Sequence, residues 1–471
     1  MRMDSRSELS SLGPLAALLA LTAVACGEHG QANDSRGGTA GVASLDTGMD
    51  SGPGGDGVDD GGVTGSAGGT AASQGEGTAE AGNDDDDGDD GDGPSPIVFD
   101  VGHPDASSTC NPGGMGGGKD DTHSYIWIAN SSQSTVSKIN TVSLVEEARY
   151  MTRETAGNPS RTSVALSGNM AVANRSGGVS KFWGNLDDCV DSNGTPGIQT
   201  SMGAADVLAW NQEECRAWFQ PFAYTTQRPL AWAHGTLNPG TCQYENEKLW
   251  TAAGNNGGTA DVFLMDGDTG VIEEMVTIPG VVGWAQLYGG AVDGDGDFWT
   301  VDHNWSGPST LIRVNRADMS YDTWPAGAVH YGLTVDSQGR AWLCGGGGAS
   351  RFDPMTETWA HLAPLSAGNA LGGCMTDGQG TLWTSPYNQP LLVGIDTETV
   401  TIVAQHNIPS YVHGVSVDFE GFVWGVEFSG DEAFRVDPAT GTFDTIGGLV
   451  GAYTYSDMTG FALSSVGIPS G

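Results

Sequence analysis

Four times between residues 289 and 424 the chain repeats Gly-x-x-x-Asp-x-x-Gly-x-x-Trp: "GGAVDGDGDFW" from Gly289, "GLTVDSQGRAW" from Gly332, "GCMTDGQGTLW" from Gly373 and "GVSVDFEGFVW" from Gly414. The tryptophans fall 43, 41 and 41 residues apart. A period near forty built from short alternating runs predicts a β-propeller, one blade per period. In each copy the apolar run before Asp is an inner strand. Asp-x-x-Gly is a tight turn, with Asp bonding local backbone and Gly supplying positive φ. The Trp strand follows, its ring turned to the gap between blades.

Looser copies extend the pattern backwards and place second-strand positions at 127, 171, 250, 299, 342, 383 and 424. The first copy begins at its second strand and lacks an inner one. The C-terminal "YSDMTGFAL" (455–463) carries Asp457 and Gly460 in the spacing of Asp418 and Gly421, with no blade of its own. Giving that segment to the first blade satisfies both ends and leaves no open edge. The expected fold is therefore all-β, a seven-bladed propeller over 122–471 closed by a C-terminal strand, with six blades as the alternative. Residues 184–244 break the rhythm and read as an insertion.

Residues 26–121 are mostly Gly, Ala, Ser, Thr and Asp, peaking in "NDDDDGDDGDG" (83–93). Such a segment cannot bury enough apolar surface to fold and reads as a disordered acidic linker. Dense carboxylates leave weak calcium chelation open beside the plain spacer reading. The net charge of −40 excludes nucleic acid as a partner, since phosphates would be repelled. At the N-terminus, Arg2 and Arg6 precede the apolar "LAALLALTAVA" (15–25), then Cys26. This is a signal peptide over 1–25, too short to span a membrane. It resembles a lipobox, which implies a lipid on Cys26 and a cell-envelope or cell-surface location; an ordinary secreted protein is the alternative. Six cysteines remain, none in Cys-x-x-Cys spacing. In an exported chain they predict disulfides. Cys344, past Trp342 and facing the next blade, pairs with Cys374, which opens that blade's inner strand; Cys189–Cys215 is the second pair. Two calcium-like stretches, 187–201 and Asp293–Asp297, read more simply as part of the insertion and as the repeat's turn.

Folding the last copy about its turn pairs positions that sum to about 839, which sets His413 nearly opposite Glu427 at the open end of the hairpin. Cross-strand partners there can touch. The pair could be a base with its carboxylate or a rim ion pair. Positions equivalent to His413 include Ser160, Tyr288 and Tyr331; those equivalent to Glu427 include Asn130, Asn174 and Asp302. These residues, with Arg161 beside them and Arg175, His303 and His330 near, are expected to gather at one mouth of the channel as ligand-binding groups.

The repeated His-Gly…Asp-x-x-Gly-x-x-Trp pattern over 245–463, and more loosely over 122–183, resembles the virginiamycin B lyase (streptogramin lyase) family of seven-bladed propellers. His413, Gly414, Trp424 and Glu427 match its last blade position by position. The resemblance implies metal-assisted elimination opening a cyclic depsipeptide ester, with magnesium as cofactor, His413 as general acid or base and Glu427 as its catalytic or metal-binding partner. The family's histidine in the preceding blade is Gly372 here, and its acidic residue before the last histidine is Tyr411. The chain contains no Gly-x-Ser-x-Gly, His-Glu-x-x-His or Walker loop. The leading expectation is a monomeric propeller that binds a small molecule, glycan or peptide at its channel mouth; a carbon–oxygen lyase is the alternative. Magnesium or calcium stays open as a cofactor, and the membrane is reached only through the lipid.

Overall fold

The computed structural model describes residues 124–241, 243–281, 285–304, 307–362 and 370–466, apart from the side chain of Tyr331. Cys26, Cys110 and Cys242 lie outside the described residues, as does the linker. Seven antiparallel sheets follow one another along the chain, each running outward from its first strand. All seven expected second-strand positions fall on second strands. Trp299 is on Phe298–Asp302, Trp342 on Ala341–Gly345, Trp383 on Thr381–Pro386 and Trp424 on Val423–Glu427. Trp127, Ala171 and Trp250 take the same place on Tyr125–Asn130, Met170–Asn174 and Lys248–Gly254. First strands of successive blades pack side by side around the axis.

The turn that opens each repeated hairpin is held by its aspartate. Asp336 accepts the backbone N–H groups of Gln338 and Arg340 on one carboxylate oxygen and the indole N–H of Trp342 (2.9 Å) on the other. Asp293, Asp377 and Asp418 hold Trp299, Trp383 and Trp424 in the same way, at 2.7, 3.1 and 2.8 Å. The turn glycine takes the left-handed backbone that a tight hairpin requires, as at Gly339 (φ 76°) and Gly421 (φ 84°). A clasped indole then packs into the next blade. Trp299 meets Leu333, Leu343 and Phe352; Trp424 meets Ile126 and Ile128 of the first blade. Opposite the indole, the third strand often places a cation. Arg313 pairs in register with Trp299 and Arg435 with Trp424. The Arg313 guanidinium sits 2.9, 3.2 and 3.0 Å from Asp293, Asp295 and Asp297. An arginine thus occupies the centre of what resembled a calcium loop.

The first sheet has three strands of its own. Residues 452–459 lie along its inner edge. Ala452 bridges Asn130, the Trp127 N–H donates to Met458 (2.9 Å), and the Tyr453 N–H donates to Ala129 (3.0 Å). On the far sides Ser456 donates to Thr162 and Thr459 to Val417, so the segment is wedged between the second and seventh blades. The ring closes as expected, with the closing segment three residues earlier than 455–463 and a short helix, Phe461–Ser465, after it.

The stretch 184–244 is not one insertion. Arg216–Gln220 is the outer strand of the second blade and Thr226–Ala233 the inner strand of the third. The irregular residues are 183–215, before that outer strand, and a small hairpin made by Thr236–Asn238 and Gln243–Glu245. Periodicity missed these strands because no Asp-x-x-Gly-x-x-Trp joins them. Cys189–Cys215 ties down the irregular stretch, and Cys344–Cys374 links the fifth blade to the sixth, with Cα atoms 6.2 Å apart. Such bonds form and persist in oxidising, exported environments. No helix among the described residues is long and apolar enough to cross a membrane.

Removing a clasp strands a buried indole N–H and turn N–H groups together. Asp418→Ala, at a fully buried position, is expected to cost about 2–4 kcal/mol by urea denaturation. Asp377→Ala, at a half-buried position, should cost less. Loss of no more than a surface substitution at Asp418 would contradict the clasp.

Candidate functional site: the channel mouth

At the end of the ring away from the clasps, the inner strands share a deviation from regular pairing. In the seventh blade Val412 pairs with Glu427 and Gly414 with Val426, so His413 is an extra residue in a β-bulge. The same slip occurs at Ser160, Tyr288 and Tyr331 in the second, fourth and fifth blades. It takes in Arg228-Pro229 in the third blade and Gly372-Gly373 in the sixth. In the closing segment Tyr453 follows the bridged Ala452 and so occupies the equivalent place. A bulge turns its extra residue off the regular alternation. Here the side chains of Arg228, Tyr288, His413 and Tyr453 line one cavity of about 1020 Å³, whose described wall draws on all seven blades. The next residue in the repeat is glycine because inner strands converge there: a Cβ on Gly414 would lie 1.6 Å from the Thr454 carbonyl oxygen.

The residues expected at the mouth divide into two groups. Those at bulges belong to it or flank it. Tyr288 and His413 line the cavity. Tyr331 holds a bulge position, and its side chain lies outside the described residues. Ser160 is buried, its hydroxyl without a partner among the described residues. Arg161 is buried beside the wall, its guanidinium 3.1 Å from the Tyr455 ring centre and donating to the Tyr288 carbonyl at 3.0 Å.

Residues at the ends of second strands instead tie down backbone. Asn130 donates to Ser137 and accepts from the Val450 N–H. Asn174 donates to the Thr152 carbonyl and accepts from its hydroxyl. Asp302 accepts the Thr310 N–H, and burial pushes its carboxyl up to about 6. Glu427 accepts the N–H groups of Asp431 and Glu432 at 3.0 Å and the hydroxyl of Ser410. The expected contact between His413 and Glu427 is therefore not made. The bulge displaces the histidine, and the carboxylate closes the loop that follows its strand. His413 Nδ1 instead shares a hydrogen bond with the Tyr411 hydroxyl (2.7 Å).

Sequence reasoning missed Arg228, hidden inside the supposed insertion, and the wall aromatics Tyr387, Phe428 and Tyr453. Arg175 and His303, expected only as neighbours, are wall residues. The aromatics interlock. His413 lies 4.7 Å from Phe428 and 5.1 Å from Tyr453, and the Tyr288 and Tyr453 hydroxyls meet at 2.5 Å. Burial, then Arg161 and Arg175, hold His413 down to about 3. Burial likewise lowers His303 to about 4, with Arg228 and Arg161 lowering it further. Both rings are neutral at physiological pH. No group of three or more His, Cys, Asp or Glu that could hold a metal occurs among the described residues. His413, with Glu427 committed elsewhere, does not fit a magnesium centre.

No protein-family model and no curated protein matches the chain. Several solved structures are similar to it. A protein from Lactobacillus plantarum is 13% identical, with 70% of this chain and 97% of that one covered and a TM-score of 0.48. Virginiamycin B lyase from Staphylococcus aureus is 14% identical, covering 61% and 83%, with a TM-score of 0.42. A streptogramin B lyase is 11% identical, covering 64% and 87%, with a TM-score of 0.47. The lyase family resembled in sequence is thus among them. Values this low bear on neither substrate nor reaction, and the seven-bladed assignment stands on the strand order itself.

The lowered His413 value has a consequence for stability. The unfolded chain takes up a proton below about 6.5, which the native site refuses until about 3. The histidine's contribution is therefore intact above that upper value and is lost as pH falls through the window, by about 1.4 kcal/mol per unit. Denaturation at pH 7, 5 and 4 should show the wild type losing that much more per unit than His413→Gln. Equal slopes would mean the ring is solvated.

Proposed function

We propose that this protein is a binding propeller of the cell envelope, holding a small ligand at the channel mouth without chemistry of its own. One observation carries the reading: bulges on successive inner strands converge on a single cavity of about 1020 Å³. That volume suits one drug-sized or slightly larger molecule, and an aromatic wall with a few polar groups is what such ligands need. Against catalysis stands the fate of Glu427, whose two oxygens serve Ser410, Asp431 and Glu432. The second reading, a carbon–oxygen lyase, is favoured by His413, which faces the cavity as a neutral imidazole. A lone base could abstract a proton beside an ester carbonyl, but no described carboxylate adjoins it to stabilise the charge that develops.

Lipid attached at Cys26 would anchor the mature protein, with residues 26–121 as the tether. A flexible chain of that length reaches roughly 50–60 Å, and more where its charges repel. The signal-like 1–25 and the low-complexity acidic stretch support this part of the proposal.

The test uses the full chain and the neutral aromatic probe 2-naphthylmethanol in titration calorimetry. Phe428→Ala and Tyr387→Ala, at partly exposed wall positions, should each weaken binding by roughly tenfold, about 1.4 kcal/mol. Asp295→Asn, in a clasp turn, should leave it unchanged. Equal affinity in all four proteins would remove the site. Ring-opened product from a cyclic depsipeptide, lost in both His413→Ala and Glu427→Gln, would replace this reading with the lyase.

A further inference from the structure

The wall of the mouth runs against the composition of the chain. The sequence has 58 acidic and 18 basic residues, yet the described wall contains Arg175 and Arg228 and neither Asp nor Glu. Arg161 lies just beside it, and the three guanidiniums are near enough to oppose one another's charge. Burial first, then Arg228, and later Arg161, lower Arg175 to about 10, which leaves it charged at neutral pH. Elsewhere Arg149 meets Glu146, Arg313 three aspartates, Arg340 Asp336 and Glu398, and Arg435 Asp418, while Arg153, Arg216, Arg316 and Arg351 donate to backbone carbonyls. No carboxylate among the described residues reaches Arg175. It donates to the Asn158 side chain at 2.5 Å, and its guanidinium lies 4.1 Å from the Tyr453 ring centre. Its Nε–H is buried with no partner among the described residues.

We propose that the mouth selects a small organic anion, with its oxyanion head on Arg175 and Arg228 and an aromatic or apolar body against Tyr288, Tyr453 and Phe428. This rests on the binding reading above and adds the class of ligand. A planar guanidinium matches a carboxylate or similar oxyanion with two parallel hydrogen bonds. Like charges held together in a poorly solvated cavity are relieved by one anion. The ring faces of Tyr288 and Tyr453 hold the arginines in place: Arg228 lies 4.9 Å from the Tyr288 centroid. A polyanion is the wrong ligand. The net charge of −40 repels it at long range, and a cavity with two wall arginines takes a single head group. Among the described wall residues His303 and His413 are neutral, and Arg175 and Arg228 supply the positive charge.

Three probes with one body and different charge decide this: 2-naphthoate, 2-naphthylmethanol and 2-naphthylmethylammonium, titrated into the full chain by calorimetry. The expected order is anion over alcohol by at least tenfold, with the ammonium weakest. Arg175→Gln keeps a donor for Asn158, and Arg228→Gln stays polar. Each should weaken naphthoate by ten- to a hundredfold and the alcohol by no more than about threefold, with thermal unfolding confirming a folded chain. Arg175→Glu should reverse the order in favour of the ammonium. Equal affinity for all three probes, or naphthoate binding untouched by both Gln variants, would overturn the anion and leave the binding site standing. If none of the three binds, the site itself is wrong and the proposal falls with it.

Discussion

A hydrogen bond six residues long in sequence underlies the structure: an aspartate carboxylate that closes a turn and holds the indole N–H of the tryptophan on the next strand. One oxygen satisfies turn N–H groups, and the other fixes the tilt of a large apolar ring. The ring is then rigidly presented to the neighbouring blade, where it fills the space between sheets. A buried carboxylate is costly unless every lone pair is used. Here the turn, the indole and, in the fourth and seventh blades, a facing arginine use them. Local turn chemistry and blade-to-blade packing are thus one interaction.

Where the clasp fixes one end of a hairpin, the other is free to vary. The inner strands slip by a residue there, and in the third, fourth and seventh blades the slip delivers a side chain to the mouth rather than to the core. Glycine after the bulge lets neighbouring strands approach the axis, while Arg161 takes that position in the second blade and lies beside the cavity. The mouth residues can therefore differ from blade to blade, because the clasped indoles carry the packing between sheets, and the mouth adds only a small cluster of Tyr288 with Tyr455 and Tyr453. Aromatic, cationic and small residues all occur at the same structural position.

What could be read from the sequence follows from this division. The clasp is local, so its spacing shows in Asp418 and Trp424 without any tertiary knowledge. The ring closure was legible because Asp457 and Gly460 repeat that spacing with no blade to serve. Cys344 and Cys374 could be paired because strand alternation says which face each occupies. Bulges leave no such mark. Regular pairing sets His413 opposite Glu427; a slip of one residue gives Val412 that place. Second-strand ends such as Asn174 and Asp302 looked like site residues since they are polar and near the mouth. Their side chains are spent on backbone groups that strand ends leave unpaired. Arg228 was invisible because its blade has neither the turn aspartate nor the period.

Hydrogen exchange at the indole N–H groups, followed by NMR on the native chain, tests the clasp most directly. The account predicts that Trp299, Trp342, Trp383 and Trp424 exchange slowly and together, at the rate of global unfolding, because freeing any one opens a blade interface. Substituting the clasp aspartate should speed exchange of its own tryptophan. Four indoles that exchange independently within seconds, or that do not respond to loss of their aspartates, would contradict it.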